Sequence, residues 1–295
     1  MTLNMINKKD TLRFIHKILE YYSAIDNSCI NVILTDKDQI TRNNVGWYQH
    51  IENQHKIFIN TPNILGLKEI VESGIIDINT YYALITICVG HEFRHFLQGK
   101  CIWDNHEIED FTKTDAFNAQ LMLYIRYFFD NYYLLNKKYV KYEEDAELFA
   151  IKNGVFLLKD TFSDIDTEKA MVNAVNYYAE VQNYNGINST LPENCISLPE
   201  ILNKITQNIY DNKRVDDLTK SLSVNNSNYY MNHLYYGLSE EDMLTQQLIK
   251  KYANCSDGTK QDLLVVKALL ANLEKPIESL NEFPILKKAY LGQKI

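Results

Sequence analysis

The stretch from Asp77 to Gly99 constrains this chain more than any other. No proline interrupts it. Asp77 and Asn79 are good N-cap residues and Gly99 is a good C-cap, so the segment reads as one long helix. Within it lies His91-Glu92-Phe93-Arg94-His95. Residues four apart on a helix stand one turn apart on the same face, so both imidazoles can reach a single cation. Leu84, Ile87 and Cys88 precede His91 on that face. Neutral imidazole nitrogen suits Zn²⁺ at about 2.0–2.1 Å. Glu92 sits beside the first histidine, projects toward the same cleft, and is placed to take a proton from water on the metal.

Two histidines do not complete a catalytic zinc site, which needs a third protein ligand. With 7 histidines in the chain, chance alone produces an HExxH in on the order of one such chain in a hundred. The third ligand is therefore the test. Tyr142-Glu143-Glu144-Asp145-Ala146-Glu147-Leu148-Phe149-Ala150 offers one. On a helix, Glu143, Ala146, Glu147 and Ala150 share a face, and the alanines admit a close neighbour. Glu143 would bind the metal, and Glu147, one turn on, would accept a hydrogen bond from the non-ligating nitrogen of a histidine. Glu144 and Glu147 are the alternative ligands, and a solvated acidic helix start is the plain reading of the same run.

HExxH followed by Glu-x-x-Ala-(Asp/Glu/Asn)-x-x-Ala resembles the gluzincin metallopeptidases. The match is closest to the soluble minigluzincins and to the catalytic module of the membrane-embedded CAAX-processing and heat-shock-induced peptidases. The resemblance covers Cys29 to Leu158 and implies His91, His95 and Glu143 as zinc ligands and Glu92 as general base. Those families often carry Asp at the position of Glu147. It also implies a zincin-like α+β fold, in which a small β-sheet precedes the HExxH helix and an edge strand holds extended peptide. The activity implied is a zinc-dependent endopeptidase acting on a peptide or protein substrate. A zinc-containing regulatory or partner-binding protein with little or no peptidase activity is the alternative from another class. A helical protein with a chance motif is the third.

The remaining sequence fits that frame. Thr11 to Tyr22 is an amphipathic pattern with Leu12, Ile15, Ile18, Leu19 and Tyr22 at helical spacing. Cys29–Leu34, Val45–Ile51 and Lys56–Asn60 are β-rich, the last two joined by a hairpin loop at Glu52–His55, and Thr61-Pro62-Asn63 ends the sheet. From Ile64 onward the pattern is helical, in keeping with only 10 glycines and 5 prolines. Helices are expected over Ala116–Leu135, Val140–Leu158, Thr167–Tyr184, Pro199–Asp211, Ser239–Ala253 and Thr259–Leu273. Asp104–Asp115 reads as a polar loop, and Tyr184–Ser197 is the clearest break. The expected organisation is a zincin-like domain over 1–160 and a helical extension over 161–295, with one core shared by both as the equal alternative.

A net charge of −8 argues against nucleic acid or an anionic membrane as the main partner. The longest apolar run, Tyr81–Val89, is far below the roughly 20 residues of a membrane span. Five scattered cysteines and an N-terminus without a signal-peptide core predict a cytoplasmic setting, with export by another route left open. Cys88 reads as packing, and His50 and His55 as exposed loop histidines with substrate contact as the sharper reading. His106, Glu107 and Glu109 read as a polar loop rather than a second metal site. His233, Tyr235 and Tyr236 are candidates for an oxyanion stabiliser.

Overall fold

The computed structural model describes residues 6–26, 31–35, 45–51, 54–104, 106–113, 115–117, 119–120, 136–163, 165–184, 191–210, 280–281 and 283–291. It is mostly helical with one small three-stranded sheet, an α+β arrangement. Its described residues fall into two compact units. One joins Met1–Lys100 to Glu143–Tyr210, and the other joins Cys101–Tyr142 to Asp211–Ile295.

In the first unit, α1 spans Lys8–Ser23. The Asn7 side chain caps it by accepting from the Asp10 N–H at 2.9 Å. The buried stripe is Thr11, Phe14, Ile15, Ile18 and Tyr22. Leu12 and Leu19, expected on this face, are only half-buried. The stripe is turned toward Phe14 and Thr11, whose hydroxyl hydrogen-bonds the Tyr81 hydroxyl at 2.9 Å.

Strands β1 (Asn31–Thr35), β2 (Gly46–Ile51) and β3 (Gln54–Asn60) lie in the order β1-β3-β2. β1 runs parallel to β3 and β2 antiparallel to it. β3 starts two residues before the predicted Lys56, so His50 and His55 are cross-strand partners rather than loop residues. Ile57 and Ile59 of β3 are buried. Asn60 ends the sheet and opens α2 (Thr61–Glu72): its N–H donates to the Val45 carbonyl at 2.8 Å, and its side chain accepts from the Asn63 N–H at 3.3 Å. Gly74, at φ +76°, takes the left-handed conformation just past this helix.

α3 spans Ile78–Asp104, capped by Asp77, whose Oδ1 accepts from the Thr80 N–H at 2.7 Å. Tyr81, Ala83, Leu84, Ile85, Ile87, Val89, Phe93 and Phe96 are all buried, so the helix is enclosed on most sides. It does not stop at Gly99. That glycine is in the helix because a Cβ there would collide with the Tyr48 ring and hydroxyl from β2. α4 spans Asn136–Thr161, α5 Thr167–Tyr184 and α6 Leu198–Tyr210. α4 crosses α3 closely at two small residues. A Cβ on Gly90 would stand 3.2 Å from both Cα and Cβ of Ala150 and overlap the Tyr22 hydroxyl. A Cβ on Gly154 would stand 3.0 Å from Cγ2 of Thr86 and 2.9 Å from Cε of Met171 in α5. Helices α5 and α6, beyond residue 160, belong to the same unit as the sheet.

In the second unit, α7 spans Pro284–Tyr290. Fully buried Gln120 donates to the Ile102 carbonyl at 2.7 Å and accepts from the Ile285 and Leu286 N–H groups at 2.9 and 3.1 Å. It thereby satisfies two of the orphan donors of that helix start. Of the polar loop expected over Asp104–Asp115, residues 106–112 are non-helical, with Asp110 at φ +62°, whereas Asp104 ends α3 and Lys113 and Asp115 are helical. Of the long apolar segment predicted over Ala116–Leu135, Ala116, Phe117, Ala119 and Gln120 are buried. The rest of it, and the helices expected at Ser239–Ala253 and Thr259–Leu273, lie outside the described residues. Among the described residues no helix is long and apolar enough to cross a membrane.

Candidate metal centre

Helices α3 and α4 bring three donor side chains together. His91 and His95 project from one face of α3 one turn apart, with ring centroids 4.5 Å apart and planes at 90°. Glu143 comes from α4, on the face whose Ala146 and Ala150 are fully buried. Both imidazoles aim Nε2 at the same oxygen of Glu143, at 3.1 Å for His91 and 3.4 Å for His95. Ligand atoms of the three residues all lie within 4.8 Å of one another. Four ligands bonded at 2.0–2.1 Å in a tetrahedron stand about 3.3–3.4 Å apart. The His95–Glu143 separation is an edge of that size and the His91–Glu143 separation is slightly shorter, and two nitrogens with one carboxylate oxygen are a donor set that zinc takes. His91 and Glu143 each keep 18 % of their side-chain surface exposed, so a small molecule can reach the group.

The electrostatics match a cation-holding site. Burial disfavours a charged His91, but the hydrogen bond to Glu143 and the charges of Glu143, Glu92 and Glu147 outweigh it and raise His91 to about 9. Burial raises the Glu143 carboxyl, but the two imidazoles overcome this and hold it far below the usual carboxylate range. The protein thus concentrates negative charge around the imidazole nitrogens. Glu92 is half-buried. Burial pushes its carboxyl up, the two imidazoles pull it back, and the backbone N–H of Tyr48 donates to it. A Cβ on Gly46 would stand 3.0 Å from Cγ of Glu92, so this carboxylate packs directly against β2.

A second group of polar side chains borders the donors. His95 Nδ1 is 2.7 Å from Oε1 of Gln98, Gln98 Nε2 donates to Asp145 Oδ2 at 2.7 Å, and Arg94 donates to both oxygens of Asp145 at 2.7 and 3.0 Å. Arg94, Gln98 and Asp145 are all buried, and the Arg94 guanidinium also lies 5.0 Å over the Phe149 ring. The sequence pattern did not single out these three residues. The signal available was their offset: Gln98 is one turn beyond His95, and Asp145 sits inside the Glu143 motif.

Of the sequence candidates, His91, His95 and Glu143 converge, and Glu92 is close enough for its charge to act on His91. Glu147 is buried and its charge also acts on His91; Glu144 is fully buried. Cys88 is a free thiol, pushed up to about 12 by burial and by the charge of Glu92, which suits packing rather than ligation. Among the described residues, His106, Glu107 and Glu109 do not form a converging donor group. His233, Tyr235 and Tyr236 lie outside the described residues. The second unit holds a cavity of about 430 Å³ lined by Cys101, His106, Phe111, Lys113, Ile285 and Lys288 among others, and His91, His95 and Glu143 do not border it. Comparison with protein-family models, with curated proteins and with solved structures returned no match for this chain.

Proposed function

We propose that this chain is a zinc-dependent peptidase with a zincin-like catalytic unit. The observation that carries the reading is the convergence of His91 and His95 Nε2 on one oxygen of Glu143, at 3.1 and 3.4 Å. Bound there, zinc supplies Lewis acidity, which acidifies water and polarises a carbonyl. Glu92 is the proton carrier: its carboxylate takes a proton from the attacking water and delivers it to the leaving amine. Burial raises its affinity for protons, which favours that exchange, and the carboxylate accepts from the Tyr48 N–H and packs against Gly46.

Strand β2 supports a peptide substrate. Among the described residues it is an edge strand of the sheet, and Gly46 and Tyr48 face the HExxH helix. An extended peptide pairing with such an edge is held main chain to main chain, beside Glu92.

The test uses unstructured protein substrates and the Glu92→Gln variant. The wild-type chain should cleave them with one zinc bound, and Glu92→Gln should keep the metal and lose on the order of 10²–10⁴ in rate. A Glu92→Gln variant as active as the wild type would end the proposal.

A further inference from the structure

We propose that Gln98 is a positioning residue that fixes the tautomer and ring orientation of His95, and that the Arg94–Asp145 pair exists to hold Gln98. The inference rests on the zinc reading above and adds a part that reading does not need.

The argument begins at the far end. An ionised carboxylate only accepts hydrogen bonds, and a guanidinium only donates. Arg94 grips both oxygens of Asp145 from a fixed fork, which sets the plane of that carboxylate. Oδ2 of Asp145 then lies 2.7 Å from the amide of Gln98. Only the NH₂ end of an amide can face an acceptor, so Asp145 dictates which way the amide points. The carbonyl end is left facing His95 Nδ1 at 2.7 Å. A carbonyl only accepts, so Nδ1 carries the proton. In the neutral ring Nε2 is then a bare lone pair, aimed at the centre where Glu143 waits. Each group determines the next, and the last outcome is a ligand nitrogen ready for a cation.

The burial of these groups supports the role. Gln98 is fully buried, and Arg94 and Asp145 are 4 % and 8 % exposed. A buried ion pair is a poor source of net stability compared with apolar packing. Its gain here is direction. The relay also ties α3 to α4 beside the residues that supply the ligands, so it holds the helices in register before any metal arrives. A histidine ligand is usually oriented by a carboxylate, a backbone carbonyl or water. Here an amide intervenes, and the carboxylate charge is held one residue further away by Arg94.

The experiment measures zinc affinity by competition with a chromophoric chelator, alongside circular dichroism and the visible spectrum of the cobalt(II)-loaded protein. Gln98→Met keeps the volume and removes the polar ends. It should keep the helical content, weaken zinc about 10–100-fold and alter the cobalt spectrum. Gln98→Glu keeps at that position an oxygen able to accept from His95 Nδ1. It should bind zinc within about threefold of wild type. Should Gln98→Met not fold, the zinc-loaded wild type still reports. Its His95 Nδ1 proton should exchange slowly and show a nuclear Overhauser contact to the Gln98 amide. Gln98→Met binding as tightly as wild type, both variants weakening alike, or a fast-exchanging Nδ1 proton would each overturn the relay and leave the zinc site standing. A wild-type chain that takes up no zinc would overturn both.

Discussion

Replacing Gly90 by alanine tests whether the helix of His91 and His95 and the helix of Glu143 meet where the proposed site requires. In an isolated helix this change gains about 1 kcal/mol. Here the new methyl would overlap the Tyr22 hydroxyl and stand 3.2 Å from the Cα and Cβ of Ala150. Backbone does not yield cheaply. Tyr22 has little room to retreat, since its ring is stacked on Phe93 at 4.7 Å and lies 5.8 Å from Phe149. Overpacking of this kind costs about 1–3 kcal/mol. With neighbours this rigid the upper half applies, so the net loss is about 1–2 kcal/mol after the propensity gain. Tyr22→Phe separates the two contacts. The Tyr22 hydroxyl is buried and has no hydrogen-bond partner among the described residues, so removing it is neutral or stabilising by about 1 kcal/mol. It also removes the worst overlap. In the Tyr22→Phe background, Gly90→Ala should therefore cost at least about 1 kcal/mol less than in wild type, a coupling expected of residues in contact. Denaturant unfolding of the metal-free chain measures all four corners of this cycle. If Gly90→Ala stabilises by the full propensity gain in both backgrounds, α3 and α4 do not cross at this glycine, and the geometry that delivers Glu143 is wrong.

Asp145→Ala leaves the Arg94 cation buried without its carboxylate and should cost about 3–5 kcal/mol in unfolding free energy, whereas a surface aspartate would cost almost nothing. Gly46→Ala places a methyl 3.0 Å from Glu92 Cγ and 3.1 Å from the Phe58 carbonyl, so it should lower peptidase rate while zinc affinity stays at the wild-type value. The metal-free chain should show a definite pH profile in thermal unfolding. His91 is raised from 6.5 to about 9, so its share of stability is complete below pH 6.5 and is lost as pH rises through about 9. Glu143 is lowered from 4.5, so its share is present above pH 4.5 and is lost as pH falls through its folded value. Zinc must displace the His91 proton, so affinity should climb with pH up to about 9, and a pH-independent affinity would contradict the ion pair.

The helical reading of His91 to His95 was legible because a four-residue spacing has one geometric meaning, and the structure carries that helix from Ile78 to Asp104. Asp77 as cap, the three strands and Thr167–Tyr184 were also legible, since caps, alternation and period are local properties. Gly99 misled because a helical glycine and a terminating glycine look alike without knowing that Tyr48 needs the space. Phe14 replaced Leu12 and Leu19 on the buried stripe of α1 because the neighbours, rather than the periodicity, chose the face. The Arg94–Asp145–Gln98 relay was hidden for a similar reason: each residue is ordinary on its own helix, and only the crossing of α3 with α4 joins them.

The most direct measurement is zinc K-edge X-ray absorption on the chain loaded with one equivalent of metal. The account predicts a first shell of oxygen and nitrogen at about 2.0–2.1 Å with the outer scattering of two imidazoles, falling to one in His95→Ala. A sulfur shell at about 2.3 Å, or zinc that washes out of the wild-type chain, would contradict it.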